Sequence, residues 1–100
     1  MTVQTKKISD EKVSLLLGGT LEREASGTLR EALEKACEAY KEIELDMKET
    51  EGIGSACLRE LMLLSKRAEQ EKKALSVTNV SSKVMAELEQ VGFDRFLVIL

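Results

Sequence analysis

Histidine, proline and tryptophan are all missing from this chain of 100 residues, and only 3% of it is aromatic. Without histidine there is no Ser-His or Cys-His nucleophile pair and no imidazole to ligate a metal, which leaves few parts from which catalysis could be built. No cofactor and no metal site is expected. The scarce rings, Tyr40, Phe93 and Phe96, give nucleic-acid bases little to stack on. Cys37 and Cys57 are too far apart for a CxxC redox or zinc motif, and each falls within a predicted helix, so both read as buried small hydrophobes. No signal peptide and no apolar run of membrane-spanning length is expected, which implies a reducing cytoplasm, no disulfide and no membrane insertion. With no proline and only six scattered glycines, the sequence offers no linker, low-complexity tract or internal repeat. Residues 1–100 are expected to form one domain, burying on the order of two thirds of its unfolded surface.

The charge balance narrows the partners. Fifteen Lys and Arg are interleaved with eighteen Asp and Glu, giving a net charge of −3 and a pI near 5.1. Neither nucleic acid nor an anionic membrane surface is an expected partner, because both require a clustered basic patch.

What the chain does have is clearest between Glu42 and Ala68. Ile43, Leu45 and Met47 alternate with Glu42, Glu44 and Asp46, the period-two pattern of a half-buried strand. A polar loop with two glycines is expected next. From Ser55 the spacing becomes helical, with Leu58, Leu61, Met62, Leu64, Ser65 and Ala68 on one arc and Arg59, Glu60, Lys66 and Arg67 on the other, out to about Lys72. Ser55 stands at the junction, where a hydroxyl can cap the helix or a phosphate can meet free N–H groups and the positive end of the macrodipole. Leu63 lies on the charged side, either as a single exposed leucine or as a partner contact.

The flanks complete an α/β pattern. Met1–Ile8 reads as an edge strand guarded by lysines, and Ser9–Glu11 as a turn. Val13, Leu15 and Leu17 form a strand inside the sheet, partly covered on both faces because Leu16 occupies the second one, and Gly18 and Gly19 are expected to end it. A first helix follows, with Leu29, Leu33, Cys37, Tyr40, Ala32 and Ala36 as its stripe and a supporting Glu31–Lys35 pair. After the second helix, Ala74–Val80 supplies a strand. Ser81 should cap a third helix striped by Val84, Met85, Leu88 and Val91, with Gly92 as its left-handed end. Arg95–Leu100 is a final strand. The order implies an α/β domain with a mixed central sheet and a functional edge at the carboxyl ends of its strands.

These pieces, in this order, resemble the STAS domain, and in particular the stand-alone bacterial anti-sigma factor antagonists. Gly19, Thr20, Leu21 and Glu22 stand where the family has Gly-Glu-Leu-Asp. Gly54, Ser55, Ala56, Cys57, Leu58 and Arg59 stand where it has Asp-Ser-Ser-Gly-Leu-Gly. Leu61–Ala68 (LMLLSKRA), Val77–Val80 (VTNV), Ser81 with Ser82, and Gly92 with Phe93 match its later landmarks. The likeness covers nearly the whole chain and implies a STAS fold, with about five strands in a mixed sheet and three to four helices. It further implies a non-enzymatic switch that binds an anti-sigma factor. That partner is itself a serine kinase of the histidine-kinase-like ATPase superfamily, and it phosphorylates the first serine of the junction. A phosphatase restores the active form. Carried across, the phosphoacceptor is Ser55, and Glu22, Arg23, Gly54, Ala56, Arg59 and Leu63 form the docking face.

Around the serine of the junction, Gly54 replaces the aspartate, Ala56 the second serine and Cys57 the first glycine. They leave open a second role, a STAS scaffold subunit of a transporter-associated or stress-sensing complex that is never phosphorylated. A phosphoryl group on Ser55 adds nearly two negative charges, which the helix N-terminus tolerates. Beside Glu49 and Glu51, those charges would cost a docked partner several kcal/mol of desolvation unless it offered a cation. A nucleotide site at Gly52-Ile53-Gly54 is the weakest reading, since the stretch lacks both the third glycine of a dinucleotide fingerprint and the Lys-Ser/Thr of a P-loop.

Overall fold

The computed structural model describes residues 1–93 and 98–100. In chain order the elements are β1 (Thr2–Lys7), β2 (Lys12–Leu21), a 3-10 turn at Arg23–Ala25, α1 (Ser26–Ala39), β3 (Glu42–Asp46), β4 (Thr50–Ile53), α2 (Ser55–Gln70), β5 (Ala74–Thr78), α3 (Ser82–Gln90) and β6 (Val98–Ile99). The described strands form one sheet in the order β1-β2-β3-β5-β6, with β4 joined to β2. Only β1 runs antiparallel to its neighbour; the β2–β3, β2–β4, β3–β5 and β5–β6 pairings are parallel. The expected mixed sheet is therefore present, with one strand more than the sequence announces.

Alternation along each strand sorts its side chains onto two faces. In register, Leu15, Leu45, Val77 and Ile99 form one row across four parallel strands, and Val13, Ile43 and Leu75 form the next. These rows meet Leu29, Leu33 and Cys37 of α1, Leu58, Leu61 and Leu64 of α2, and Val84 and Leu88 of α3 in a single core cluster. Burial of this apolar area is the principal stabilising term. The opposite rows, including Lys6–Ser14–Glu44–Ser76 and Gln4–Leu16–Asp46–Thr78, contribute nothing to that cluster. The core helices pack on one face, and on the other Ser14 is buried and Leu16 partly buried, so β2 is covered in part on both faces as expected.

Several boundaries differ from the sequence reading for identifiable reasons. Gly18 and Gly19 do not end β2. Gly19 takes a left-handed conformation (φ +84) at an irregularity in register between Gly19 and Thr20, and beyond it β2 continues alongside β4. A glycine costs least in that conformation. The expected polar loop contains β4, whose Thr50 is buried and donates its hydroxyl to the Leu17 carbonyl at 2.5 Å. The second helix stops at Gln70, and Lys72 adopts φ +57. In α3, Val91 is exposed rather than part of the apolar stripe. Of the expected final strand, positions 95–97 lie outside the described residues, and Val98–Ile99 pairs with β5.

Candidate functional site

The junction between β4 and α2 is tied to the end of β2. Gly54 N–H donates to the Leu21 carbonyl at 2.7 Å, and the Cys57 thiol donates to the Glu22 carbonyl at 3.2 Å. The backbones approach so closely that a Cβ on Gly54 would lie 3.3 Å from the Leu21 oxygen. The residue where the family pattern carries an aspartate is glycine here, and the strands leave little room for anything larger. Burial, reinforced by the Glu60 carboxylate, pushes the Cys57 thiol above its ordinary pKa, so it stays protonated and acts as a packed donor.

Ser55 is not the cap of α2. The cap is Gly54, extended at φ −80 and ψ 167, with no side-chain hydrogen bond; Ser55 is the first helical residue and is exposed. Among the described hydrogen bonds none uses the Ser55 hydroxyl. It therefore projects from the first turn of a helix whose leading N–H groups have no helical acceptor. The capping that the sequence allows at Ser55 is found instead at Ser81, whose Oγ accepts from Val84 N–H at 3.2 Å.

The same ties bring α1 and α2 together around Ser55. Ser26 donates to the Arg23 carbonyl at 2.8 Å and so closes the 3-10 turn onto α1. Arg23, Ser26 and Arg30 then face Ser55, Ala56, Arg59, Glu60 and Leu63 across an open depression of about 640 Å³. Of the residues expected on the docking face, Arg23, Ala56, Arg59 and Leu63 line it with Ser55. Glu22 and Gly54 adjoin it through the strand ties, Glu22 being exposed at the start of the 3-10 turn. Leu63 is 52% exposed, an apolar group among charges.

Two features escape the sequence reading. Ser26, Arg30 and Glu60 belong to the same depression; their only signal is a position beside the buried stripes of α1 and α2. The acids expected near Ser55, Glu49 and Glu51, are absent from the lining. Glu49 instead lies next to Gly18, and Glu51 is an exposed residue of β4. The depression that Ser55 lines therefore holds three arginines and one glutamate, Glu60. Among the described residues, Arg23, Arg30 and Arg59 make no ion pair within 4 Å, whereas Arg67 pairs with both Glu38 and Glu71. The hydrogen bond that Arg67 Nε donates to the Glu71 carboxylate, at 2.6 Å, raises the Arg67 pKa further.

On the far side of the junction, Ile53 N–H donates to the Glu87 carboxylate at 2.7 Å, so α3 satisfies an amide of β4 that the sheet leaves open. Gly52 and Ile53 are strand residues, not the glycine loop of a nucleotide site. No group of three or more metal-ligating side chains occurs among the described residues, and none of the described helices is long and apolar enough to cross a membrane.

The family model described as Mlab, STAS domain matches residues 5–100. No curated protein matches the chain. Among solved structures, the fold is similar to an anti-sigma factor antagonist from Mycobacterium paratuberculosis (TM-score 0.86, 15% identity, covering 98% of this chain and 83% of that one). It is also similar to the phosphorylated form of the Bacillus cell fate determinant SpoIIAA (TM-score 0.78, 16% identity, 99% and 91%). A sulfate transporter family protein from Wolinella succinogenes shares it too (TM-score 0.80, 19% identity, 94% and 80%). The chain belongs to the STAS domain family, as its residues suggest, and its sheet and helices are those of the SpoIIAA fold.

Proposed function

We propose that this STAS domain is a regulatory binding module of the anti-sigma factor antagonist type. In this reading it docks an anti-sigma factor that is also a serine kinase of the histidine-kinase-like ATPase superfamily, and phosphorylation of Ser55 ends the docking. The observation that carries the proposal is the Ser55 hydroxyl, exposed on the first turn of α2 and relieved of capping by Gly54. A residue needed for the cap would have to surrender its hydrogen bond on modification; among the described residues the Ser55 hydroxyl has none to surrender. The γ-phosphoryl group of ATP would pass to Ser55 Oγ, breaking the bond to the β-phosphate and releasing ADP, while the hydroxyl proton goes to a base on the kinase. A phosphatase would hydrolyse the ester and restore the binding form. Similarity to a protein solved in a phosphorylated form supports the reading.

Incubation with ATP and the cognate kinase, followed by intact-mass measurement, tests it. The expected result is the gain of one phosphoryl group on the wild type and none on Ser55→Ala. Equal gains on both would remove Ser55 from the role. Ser55→Asp is expected to weaken partner binding without lowering the melting temperature, since an acid suits the first turn of a helix.

A second reading rests on Gly54. The family's aspartate is replaced at a position where a side chain would crowd the Leu21 carbonyl, and the fold is shared with a transporter-family protein. A constitutive scaffold subunit would bind its partner identically before and after kinase treatment.

A further inference from the structure

We infer that the depression between α1 and α2 receives an acidic segment of the partner protein carrying an apolar residue, its carboxylates meeting Arg23, Arg30 and Arg59 and its apolar side chain covering Leu63. The inference rests on the reading of Ser55 as the centre of a docking face and names the chemistry of what docks there.

Three observations converge on this occupant. The chain is acidic overall, with a net charge of −3, yet three of its five arginines gather around one depression. Among the described residues those three have no carboxylate within ion-pair distance, although Arg67, further along α2, is held by two. The central apolar group, Leu63, is half-exposed and sits between the two helices rather than under them. Arginine forks bind carboxylates bidentately, and an apolar anchor ringed by charged groups is the usual arrangement of a protein interface. A membrane surface is disfavoured by the same inventory: polybasic lipid sites gather more cations than this, and Glu60 shares the lining. The arrangement also gives phosphorylation its means of exclusion. A phosphate on Ser55 would find cations already beside it, take the arginines that the partner's carboxylates require, and leave the backbone where it stands.

The test uses the full chain and a defined probe. The peptide acetyl-Asp-Glu-Leu-Glu-Asp-amide is titrated against the isotope-labelled protein, with acetyl-Asn-Gln-Leu-Gln-Asn-amide as its uncharged counterpart. The acidic peptide is expected to move the amide resonances of Ser26, Arg30, Ala56, Arg59 and Leu63, to weaken as salt is added, and to bind about tenfold more weakly to Arg30→Gln/Arg59→Gln. Both arginines are exposed, so the variant should retain its fold, which its amide spectrum reports. Arg30→Lys/Arg59→Lys should recover part of the affinity, as charge returns without the fork. Equal binding of the uncharged peptide, unchanged affinity of the glutamine variant, perturbation elsewhere or no binding would each overturn the inference. Tighter capture by phosphatidylserine-rich vesicles through the same arginines would reassign the depression to a membrane. Failure here is distinguishable from failure of the switch: kinase-dependent mass gain at Ser55 with a silent groove sinks only the groove, and peptide binding without modification sinks only the switch.

Discussion

Helices α2 and α3 each leave a parallel strand through a short turn with a serine at or beside the helix start, and they are secured in opposite ways. In α3 the local sequence does the work at both ends: Ser81 caps with its own oxygen, and Gly92 takes the left-handed exit at φ +76. In α2 neither end follows those rules. Its cap is a glycine without a side chain, and Lys72 occupies a left-handed position in which a Cβ is unfavourable. Burial supplies the difference. Cys57, Leu58, Leu61, Leu64 and Ala68 of α2 are buried, against Val84 and Leu88 of α3. A helix held from beneath can leave its first serine unused, and that serine lies beside three arginines. Departures from local rules of this kind tend to mark functional places.

The contrast can be broken first at the core. Leu61→Ala should cost about 2 to 5 kcal/mol in urea unfolding, because Leu61 is fully buried under α2. A loss below about 1 kcal/mol would mean that α2 does not depend on packing as described. A smaller effect should separate the serines. Ser81→Ala is expected to cost about 1 kcal/mol, whereas Ser55→Ala should stay within about 0.5 kcal/mol. Equal losses would erase the distinction between a cap and an idle hydroxyl. At the opposite ends, Lys72→Gly should stabilise by about 0.5 to 1 kcal/mol, the relief of a side chain in left-handed backbone set against the greater freedom of glycine when unfolded. A destabilised variant would show that the Lys72 side chain contributes more than its conformation costs.

The least of the expected effects concerns Cys57, in the first turn of α2. In a Cys37→Ala background, alkylation of the folded protein should be much slower than that of the denatured chain at the same pH. The folded thiol keeps its proton to higher pH than the unfolded one. Unfolding therefore releases a proton in that window, and stability should fall as pH rises through the ordinary thiol value of 9.0. Alkylation at the denatured rate would show the first turn to be open.

What could be foreseen divides along the same line. The α3 unit was legible because its signals are local: an N-cap serine, helical spacing of Val84 and Leu88, a terminal glycine. Strand β4 was hidden because Lys48–Gly52 carries no apolar alternation; it is held by pairing with the end of β2 and by long-range ties, among them a threonine hydroxyl reaching a carbonyl 33 residues away. The continuation of β2 past Gly18 and Gly19 was hidden likewise, since glycines that usually stop a strand here permit a bulge within it. Resemblance to the family supplied Arg23 and Arg59. Arg30 and Glu60 emerge only when α1 and α2 are packed together, and no spacing within either helix announces that they meet. The expectation of acids beside Ser55 failed for the same reason: Glu49 and Glu51 are near it along the chain but belong to other surfaces.

The carboxylate of Glu87 answers an amide of Ile53, and the very next residue begins the turn that offers Ser55 to the outside. Removing the Glu87 carboxylate would leave that amide without its acceptor. Helix α3 thus holds the strand that leads into α2, two peptide links before the exposed serine.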